Sequence, residues 1–276
     1  MLSEGLIIKV NSDTFTVKVD DKYIDTKARG KNRFEKIKPI VGDKVLVDIE
    51  KSVIESVLER RNSLSRPPVA NIDIALIVTS LKKPELSLSL LDRLISIVTI
   101  NKIEPVIVFT KMDLATRVDL KDLKKLTKYY ESIGIKVFNN KKVRKLKKYL
   151  KNKIVTVCGQ TGAGKSTLIN KLDKHLNLET KEISDALGRG VHTTRIVELF
   201  EIENFYIVDT PGFSSVDINT YSLDEIKTSF IEFNNLECKF KDCKHEKEIG
   251  CKVIEEVNNG NILKSRYENY LRFIKE

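Results

Sequence analysis

The feature that most constrains this chain is a glycine-rich octapeptide, GQTGAGKS, at residues 159–166. It matches the pattern G-x-x-x-x-G-K-[ST], follows an apolar run at 154–158 and opens a helix-forming run at 165–172, the strand–loop–helix setting that a phosphate-binding loop needs. Gly159, Gly162 and Gly164 let the backbone curl so that successive N–H groups face phosphate oxygens, with Gln160, Thr161 and Ala163 between them. Lys165 brings charge to the β- and γ-phosphates, Ser166 offers a hydroxyl to Mg²⁺, and Thr167 continues the first helical turn. The helix amino terminus adds its positive dipole.

A second motif reads the base. Thr110-Lys111-Met112-Asp113 follows an apolar run at 105–109 and has the form [N/T]-K-x-D, by which GTPases recognise guanine. The Asp113 carboxylate can accept from guanine N1–H and the exocyclic amine together, whereas adenine would leave it unpaired. The aliphatic stem of Lys111 can lie across the purine, and the Thr110 hydroxyl is free to make a local hydrogen bond. A third motif, DTPG at 209–212, follows the apolar run 205–208. It places Asp209 near Mg²⁺ and the Gly212 N–H near the γ-phosphate. In the usual GTPase order the phosphate loop precedes the base-reading motif. Here the base-reading motif comes first, which a sheet accommodates only as a circular permutation.

The rest of the chain divides around these motifs. Residues 1–60 hold five short apolar stretches with partial period-2 alternation, the pattern of a small closed barrel such as an OB-fold. The stretch 61–71, RNSLSRPPVAN, carries Pro67 and Pro68 and marks a boundary. Beyond it, strand-like runs at 72–79, 105–109, 135–138, 154–158, 196–200 and 205–208 alternate with helical runs at 88–101, 120–132, 143–152 and 165–172. That alternation predicts a mostly parallel sheet with helices on both faces. The expected class is therefore multidomain α/β: a barrel over 1–65, a circularly permuted P-loop GTPase domain over 66–220, and a helical zinc-binding domain over 221–276. The terminal helix, 262–274, is expected to pack locally.

In that last unit Cys238, Cys243, His245 and Cys251 supply three thiolates and an imidazole within 14 residues. Soft sulfur with one nitrogen suits tetrahedral Zn²⁺, and four protein ligands leave no open position, so the ion would be structural. Cys158 ends a core strand and reads as packing.

With these residues in hand the chain resembles the small-ribosomal-subunit-dependent GTPase A family (RsgA/YjeQ-like) along nearly its whole length. The resemblance rests on RPPVAN at 66–71, TKMDL at 110–114, GQTGAGKSTL at 159–168, GRGVHTTR at 188–195, DTPGF at 209–213 and CKFKDCKHEKEIGC at 238–251. It implies GTP hydrolysis to GDP and phosphate, stimulated by the small ribosomal subunit, during late maturation of that subunit. Two positions depart from the pattern: Asn139-Asn140 stands where many GTPases have Ser-Ala, and Val191 stands where the family's switch often has Arg.

Residues 188–195 read as a nucleotide-dependent switch in which Thr193 or Thr194 reaches Mg²⁺. Phe213 occupies the place of the Gln that orients water in Ras-type enzymes, and an apolar ring cannot do that work. Slow intrinsic turnover is the expectation, with Lys165 and His192 as the candidate catalytic residues. A P-loop ATPase, or an rRNA-binding scaffold with a vestigial nucleotide site, is the competing reading.

Charge points to the partner. Lys plus Arg number 49 against 39 Asp plus Glu, a net +10, and no apolar run is long enough to span a membrane. The excess is concentrated: residues 27–38 hold six basic residues and one acid, and residues 141–153 hold eight and none. Lys27, Arg29, Lys31 and Arg33, on a barrel loop, are the candidate rRNA contacts. The chain is expected to be a cytoplasmic monomer.

Overall fold

A computed structural model describes residues 2–28, 37–65, 67–173, 197–208 and 217–276. Strands β1 (Leu2–Asn11), β2 (Thr14–Val19), β3 (Lys22–Ala28), β4 (Lys44–Asp48) and β5 (Val53–Val57) close into a barrel in the order β1-β2-β3-β5-β4. In β2 the alternation is strict: Phe15, Val17 and Val19 face the interior with Ile7, Val45, Val47 and Ile54. All five strands coincide with the apolar stretches of the sequence, because one-sided burial leaves a period-2 mark.

The proline-rich stretch is more than a break. β6 (Ser63–Ser65) and β7 (Pro68–Ala70) form a two-stranded ribbon in which Pro68 is the first strand residue, a place where its missing N–H costs no ladder bond. The ribbon is pressed onto the barrel. Ala70 N–H donates to Val41 O (2.8 Å), and a Cβ on Gly42, whose φ is +85°, would lie 2.1 Å from Ala70 O. Asn71, buried, donates from its amide to Gly42 O and accepts from Arg61 N–H, both at 3.0 Å.

Next come β8 (Ile74–Ser80), α1 (Leu88–Ile100), β9 (Glu104–Thr110), α2 (Arg117–Ser132), β10 (Lys136–Asn139), α3 (Val143–Leu150), β11 (Ile154–Cys158), α4 (Lys165–Leu172), β12 (Leu199–Ile202) and β13 (Phe205–Val208). The sheet order is β10-β9-β8-β11-β13-β12, parallel throughout except for β12, which runs antiparallel to β13. In β8, Ala75 and Ile77 face the core shared with α1 and α2, while Ile74, Leu76 and Val78 face the core shared with α3 and α4. Helix α2 starts at Arg117, three residues before the apolar periodicity, because Thr116 and Asp119 form a reciprocal capping box. The strand expected at 196–200 is β12, beginning at Leu199.

Helices α5 (Leu223–Ser229), α6 (Lys252–Asn258) and α7 (Lys264–Phe273) enclose a separate core around Phe230, Phe233, Tyr270 and Phe273. Helix α7 packs there and also against α1, where Asn269 donates to Asp92 (2.6 Å) and Arg272 donates to Ser89. Among the described residues no helix is long and apolar enough to cross a membrane.

Candidate functional site

The parallel strands β8, β9, β10 and β11 end at one edge of the sheet, where ligands of open α/β folds sit. Ser80–Lys83, Thr110–Asp113, Asn139–Asn140 and the 159–166 loop are therefore neighbours. Gly159 has φ +133°, and a Cβ there would lie 2.0 Å from Val78 O, so the loop can leave β11 beside β8 only with glycine at this position. Lys165 folds back over the loop, its Nζ 2.9 Å from Gly159 O and 3.1 Å from Gln160 O. Ala163 is buried, Ser166 is half-buried, and Gln160, Thr161 and Thr167 are exposed. Helix α4 begins from Gly164 with the loop at its amino terminus.

The base-reading segment is fastened to this loop. Thr110 Oγ1 lies 2.5 Å from Ala163 O and 3.3 Å from Thr79 O. One hydroxyl proton serves the two acceptors, and it binds β9 to the phosphate loop across 53 residues of sequence. Lys111, at φ +52°, donates from Nζ to Lys83 O, which fixes its stem across this edge. Asp113 is exposed and makes no hydrogen bond or ion pair among the described residues. Asn139 Oδ1 accepts from Lys141 N–H and Asn140 N–H donates to Phe109 O. The buried Asn140 Oδ1 has no partner among the described residues. Cys158 lies in the core, where burial pushes its thiol up to about 12 and keeps it protonated.

Several residues singled out in the sequence, namely Arg29, Lys31, Arg33, His192, Thr193, Thr194, Asp209 and Gly212, lie outside the described residues. Lys27 is on β3, exposed, and pairs in register with Thr14 and Val53.

The second cluster is compact. One donor atom from each of Cys238, Cys243, His245 and Cys251 lies within 4.8 Å of all the others, so the four could hold a metal ion. Cys238 and Cys251 sulfurs are 3.9 Å apart, and His245 Nδ1 is 3.5 Å and 3.3 Å from them. A tetrahedral Zn²⁺ with its usual bond lengths would set S···S near about 3.8 Å and S···N near about 3.5 Å. Burial, with Lys227 adding to it, lowers the His245 pKa and favours the neutral imidazole that a metal needs.

The scaffold around these four residues carried no sequence signal. Lys252 N–H donates to the Cys238 sulfur (3.3 Å), Tyr267 OH to His245 O (2.7 Å) and Tyr270 OH to Lys244 O (2.6 Å). The Glu248 carboxylate accepts from the N–H groups of Lys244 (2.8 Å), Glu246 (2.8 Å) and Lys247 (3.0 Å). Burial alone would raise its pKa, but these backbone bonds outweigh it and hold Glu248 at about 2.

Sequence reasoning also missed a buried charge network. Arg266 of α7, fully buried, donates to Asp92 (2.9 Å) and, in a fork, to both oxygens of Glu232 (2.8 and 2.9 Å). Tyr130 OH donates to Asp92 (2.7 Å), Tyr129 OH to Glu232 (3.1 Å), and the guanidinium lies 4.6 Å from the centroid of the Phe230 ring. Helix α2, which follows the base-reading motif, thus shares one buried network with the cysteine-bearing unit.

Comparison with known proteins agrees with this geometry. The family model described as RsgA GTPase matches residues 57–219, and that of the RsgA N-terminal domain matches residues 4–54. A relative from Clostridium perfringens, "Small ribosomal subunit biogenesis GTPase RsgA", is 41% identical over 99% of this chain and 97% of its own length. One from Oceanobacillus iheyensis, named RsgA 2, is 43% identical over 100% and 97%. The crystal structure of YjeQ from Thermotoga maritima superposes with a TM-score of 0.84 at 35% identity, covering 100% of this chain and 98% of that one. The crystal structure of YloQ, a circularly permuted GTPase, superposes with a TM-score of 0.84 at 32% identity, covering 100% of this chain and 94% of that one. With its closed barrel, its permuted order of motifs and its cysteine cluster, the chain belongs to the RsgA GTPase family.

Proposed function

We propose that this chain binds GTP at the sheet edge formed by β8 to β11 and hydrolyses it to GDP and phosphate during biogenesis of the small ribosomal subunit. The observation that carries the reading is the hydrogen bond from Thr110 to Ala163, which fastens the base-reading segment to the phosphate loop. In this reading Lys165 leaves its two loop carbonyls for the β- and γ-phosphate oxygens, and the N–H groups of 159–166 cradle the same oxygens. Ser166, with Asp209 and Thr193 or Thr194, would hold Mg²⁺, which when bound neutralises charge developing between the β- and γ-phosphates. Asp113 reads the guanine edge.

Phe213 offers no group to orient water, so intrinsic hydrolysis is slow, and the subunit, or His192 ordered by it, supplies what is missing. Zn²⁺ is the ion for the Cys238–Cys243–His245–Cys251 cluster, because its tetrahedral spacing matches the sulfur and nitrogen separations. We assign residues 1–65, 66–220 and 221–276 to barrel, GTPase and zinc-binding units of a cytoplasmic monomer. The barrel would meet rRNA through Lys27, Arg29, Lys31 and Arg33.

The test is hydrolysis with and without purified small subunits, in GTP and in ATP. GTP turnover should be slow alone and rise on adding subunits, and ATP should be a poor substrate. Asp113→Asn should weaken GTP binding by about 30- to 1000-fold through loss of the paired acceptor, at ~1–2 kcal/mol for each of two hydrogen bonds. Equal use of ATP and GTP by the parent protein would refute the assignment of Asp113.

A further inference from the structure

The second basic stretch borders the site described above at Asn139 but its side chains take no part in it, and its geometry differs from that of a generally lysine-rich surface. Across the whole chain 49 of 276 residues are Lys or Arg, whereas residues 141–153 hold eight and no acid. Helix α3 occupies the middle of that stretch. Leu146 and Leu150 are fully buried against the sheet, with Val143 and Tyr149 packed on the same core. Arg144, Lys145 and Lys148 are exposed at spacings of one and three residues, and they project opposite the buried pair. Lys141 and Lys142 in the preceding turn and Lys151 in the following one extend the exposed set to six.

The acids nearest the helix are already engaged from its flanks. Glu203 pairs with Lys147 (2.5 Å), Glu104 accepts from Tyr149 OH, and Asp73 is shared by Lys153, Arg61 and the Ile154 N–H. The six exposed cations have no ion pair or hydrogen bond from their side chains among the described residues. The row starts at Asn139–Asn140, beside the base-reading segment, and runs down the flank of the domain. It lies on the sheet face opposite α1, α2 and the cysteine-bearing unit.

We infer that this row is a docking surface for the sugar-phosphate backbone of double-helical RNA, separate from the barrel. Three observations select that partner. An amphipathic helix binds a membrane through its apolar face, and the apolar face of α3 is already buried in the sheet. Five of the six cations are Lys, the residue depleted at protein–protein interfaces, where Arg and aromatic residues concentrate. Unpaired bases need exposed aromatic rings to stack on, and the one ring of α3, Tyr149, is half-buried against Phe138 and bonded to Glu104. What remains is a row of hydrated point charges, which binds phosphates without reading sequence. The assignment rests on the reading that the partner is the small ribosomal subunit, and it names a second surface of contact with that subunit.

The test is a full-length variant carrying Arg144→Gln, Lys145→Gln, Lys148→Gln and Lys151→Gln, since Gln keeps helix propensity and removes charge. An unchanged melting temperature and unchanged basal GTP hydrolysis establish that it is folded. Against a 20-base-pair RNA duplex of arbitrary sequence, log affinity is followed against log salt. The slope should become shallower by up to about 3.6, and affinity near 0.1 M salt should fall at least tenfold, as expected for four lost phosphate contacts at roughly 0.9 each. Subunit stimulation should need a correspondingly higher subunit concentration. Parental affinity and slope in the variant would overturn the inference, as would loss of binding to phosphatidylserine vesicles with RNA binding intact. The two readings fail differently. A parent protein indifferent to small subunits breaks the functional reading, and the inference with it. A parent that responds, with a variant that responds equally, breaks only the inference.

Discussion

The central sheet is met from two sides, and the ion pairs at the two contacts are built from opposite physics. On the β12 edge the barrel meets it through Lys18 and Tyr23, both bonded to Glu201, and through Lys9 with Glu198. Lys18 and Glu201 side chains keep 16% and 37% of their exposure, so water screens the pair. On the α1 face the cysteine-bearing unit meets it through Arg266, Asp92 and Glu232, whose side chains keep 0%, 0% and 4%. The ion pairs of the first seam add little by themselves, because its apolar part is Ile8 and Val41 of the barrel, which share the sheet's core with Leu199 and Val208. The second holds desolvated charges whose partners cannot be removed singly without large cost. The barrel's ion pairs lie at the hairpin β12–β13, which in sequence falls between residues 188–195 and DTPG at 209–212.

The buried seam can be broken most sharply at Arg266. Arg266→Ala leaves Asp92 and Glu232 buried without their cation and should destabilise the protein by ~3–5 kcal/mol in denaturant unfolding. Replacing all three, as Arg266→Met with Asp92→Leu and Glu232→Leu, should recover much of that loss, because apolar packing can stand in for a complete buried ion network. A single variant within 1 kcal/mol of the parent would mean that water reaches the network and that the two seams differ less than their exposures indicate.

A step down in size, Glu248 tests the loop behind that seam. Glu248→Gln weakens three backbone hydrogen bonds to a charged acceptor and should cost ~1–3 kcal/mol in the cysteine-bearing unit, read by hydrogen exchange at Lys244, Glu246 and Lys247. Its folded pKa, about 2, lies below the ordinary 4.5, so its contribution is complete above about pH 5 and fades as pH falls toward 2. Exchange at the barrel seam should not respond to this substitution.

The contrast also explains what could be read in advance. The barrel strands, the alternating α/β pattern and the phosphate loop all leave local marks: a period of two, a period near 3.6, glycines at fixed offsets. Cys238, Cys243, His245 and Cys251 were visible because metal-binding residue types are rare and cluster within one loop. The network of Arg266, Asp92, Glu232 and Tyr130 was not, since its members are common residues up to 174 positions apart that only tertiary folding brings together. The β6–β7 ribbon escaped for a related reason. Pro67 and Pro68 announce a break, while the bond from Ala70 to Val41 and the close approach at Gly42 belong to the docked barrel and not to the local sequence. At the nucleotide edge, Thr110 was legible as a base-motif residue, but its bond to Ala163 depends on β8 pairing with β9 on one side and β11 on the other.

The smallest effect is expected at the barrel seam, where the sign of its pH dependence makes it measurable. Burial opposes the charge on both Lys18 and Glu201, but their mutual hydrogen bonds prevail, raising the lysine and lowering the carboxylate. A lowered carboxylate stabilises the fold above its unfolded value and loses that contribution as pH falls through the folded one. A raised lysine does so below its unfolded value and loses it as pH rises through the folded one. The pair should therefore add a plateau of stability between about pH 5 and 10, worth ~0.2–1 kcal/mol for an ion pair open to water. Glu201→Gln should remove the plateau, and 1 M salt should flatten it in the parent, while the Arg266 seam should be nearly indifferent to salt. A loss above 2 kcal/mol at Glu201, or equal salt sensitivity of the two sets of ion pairs, would mean that both are desolvated to the same degree and that the distinction between them is false.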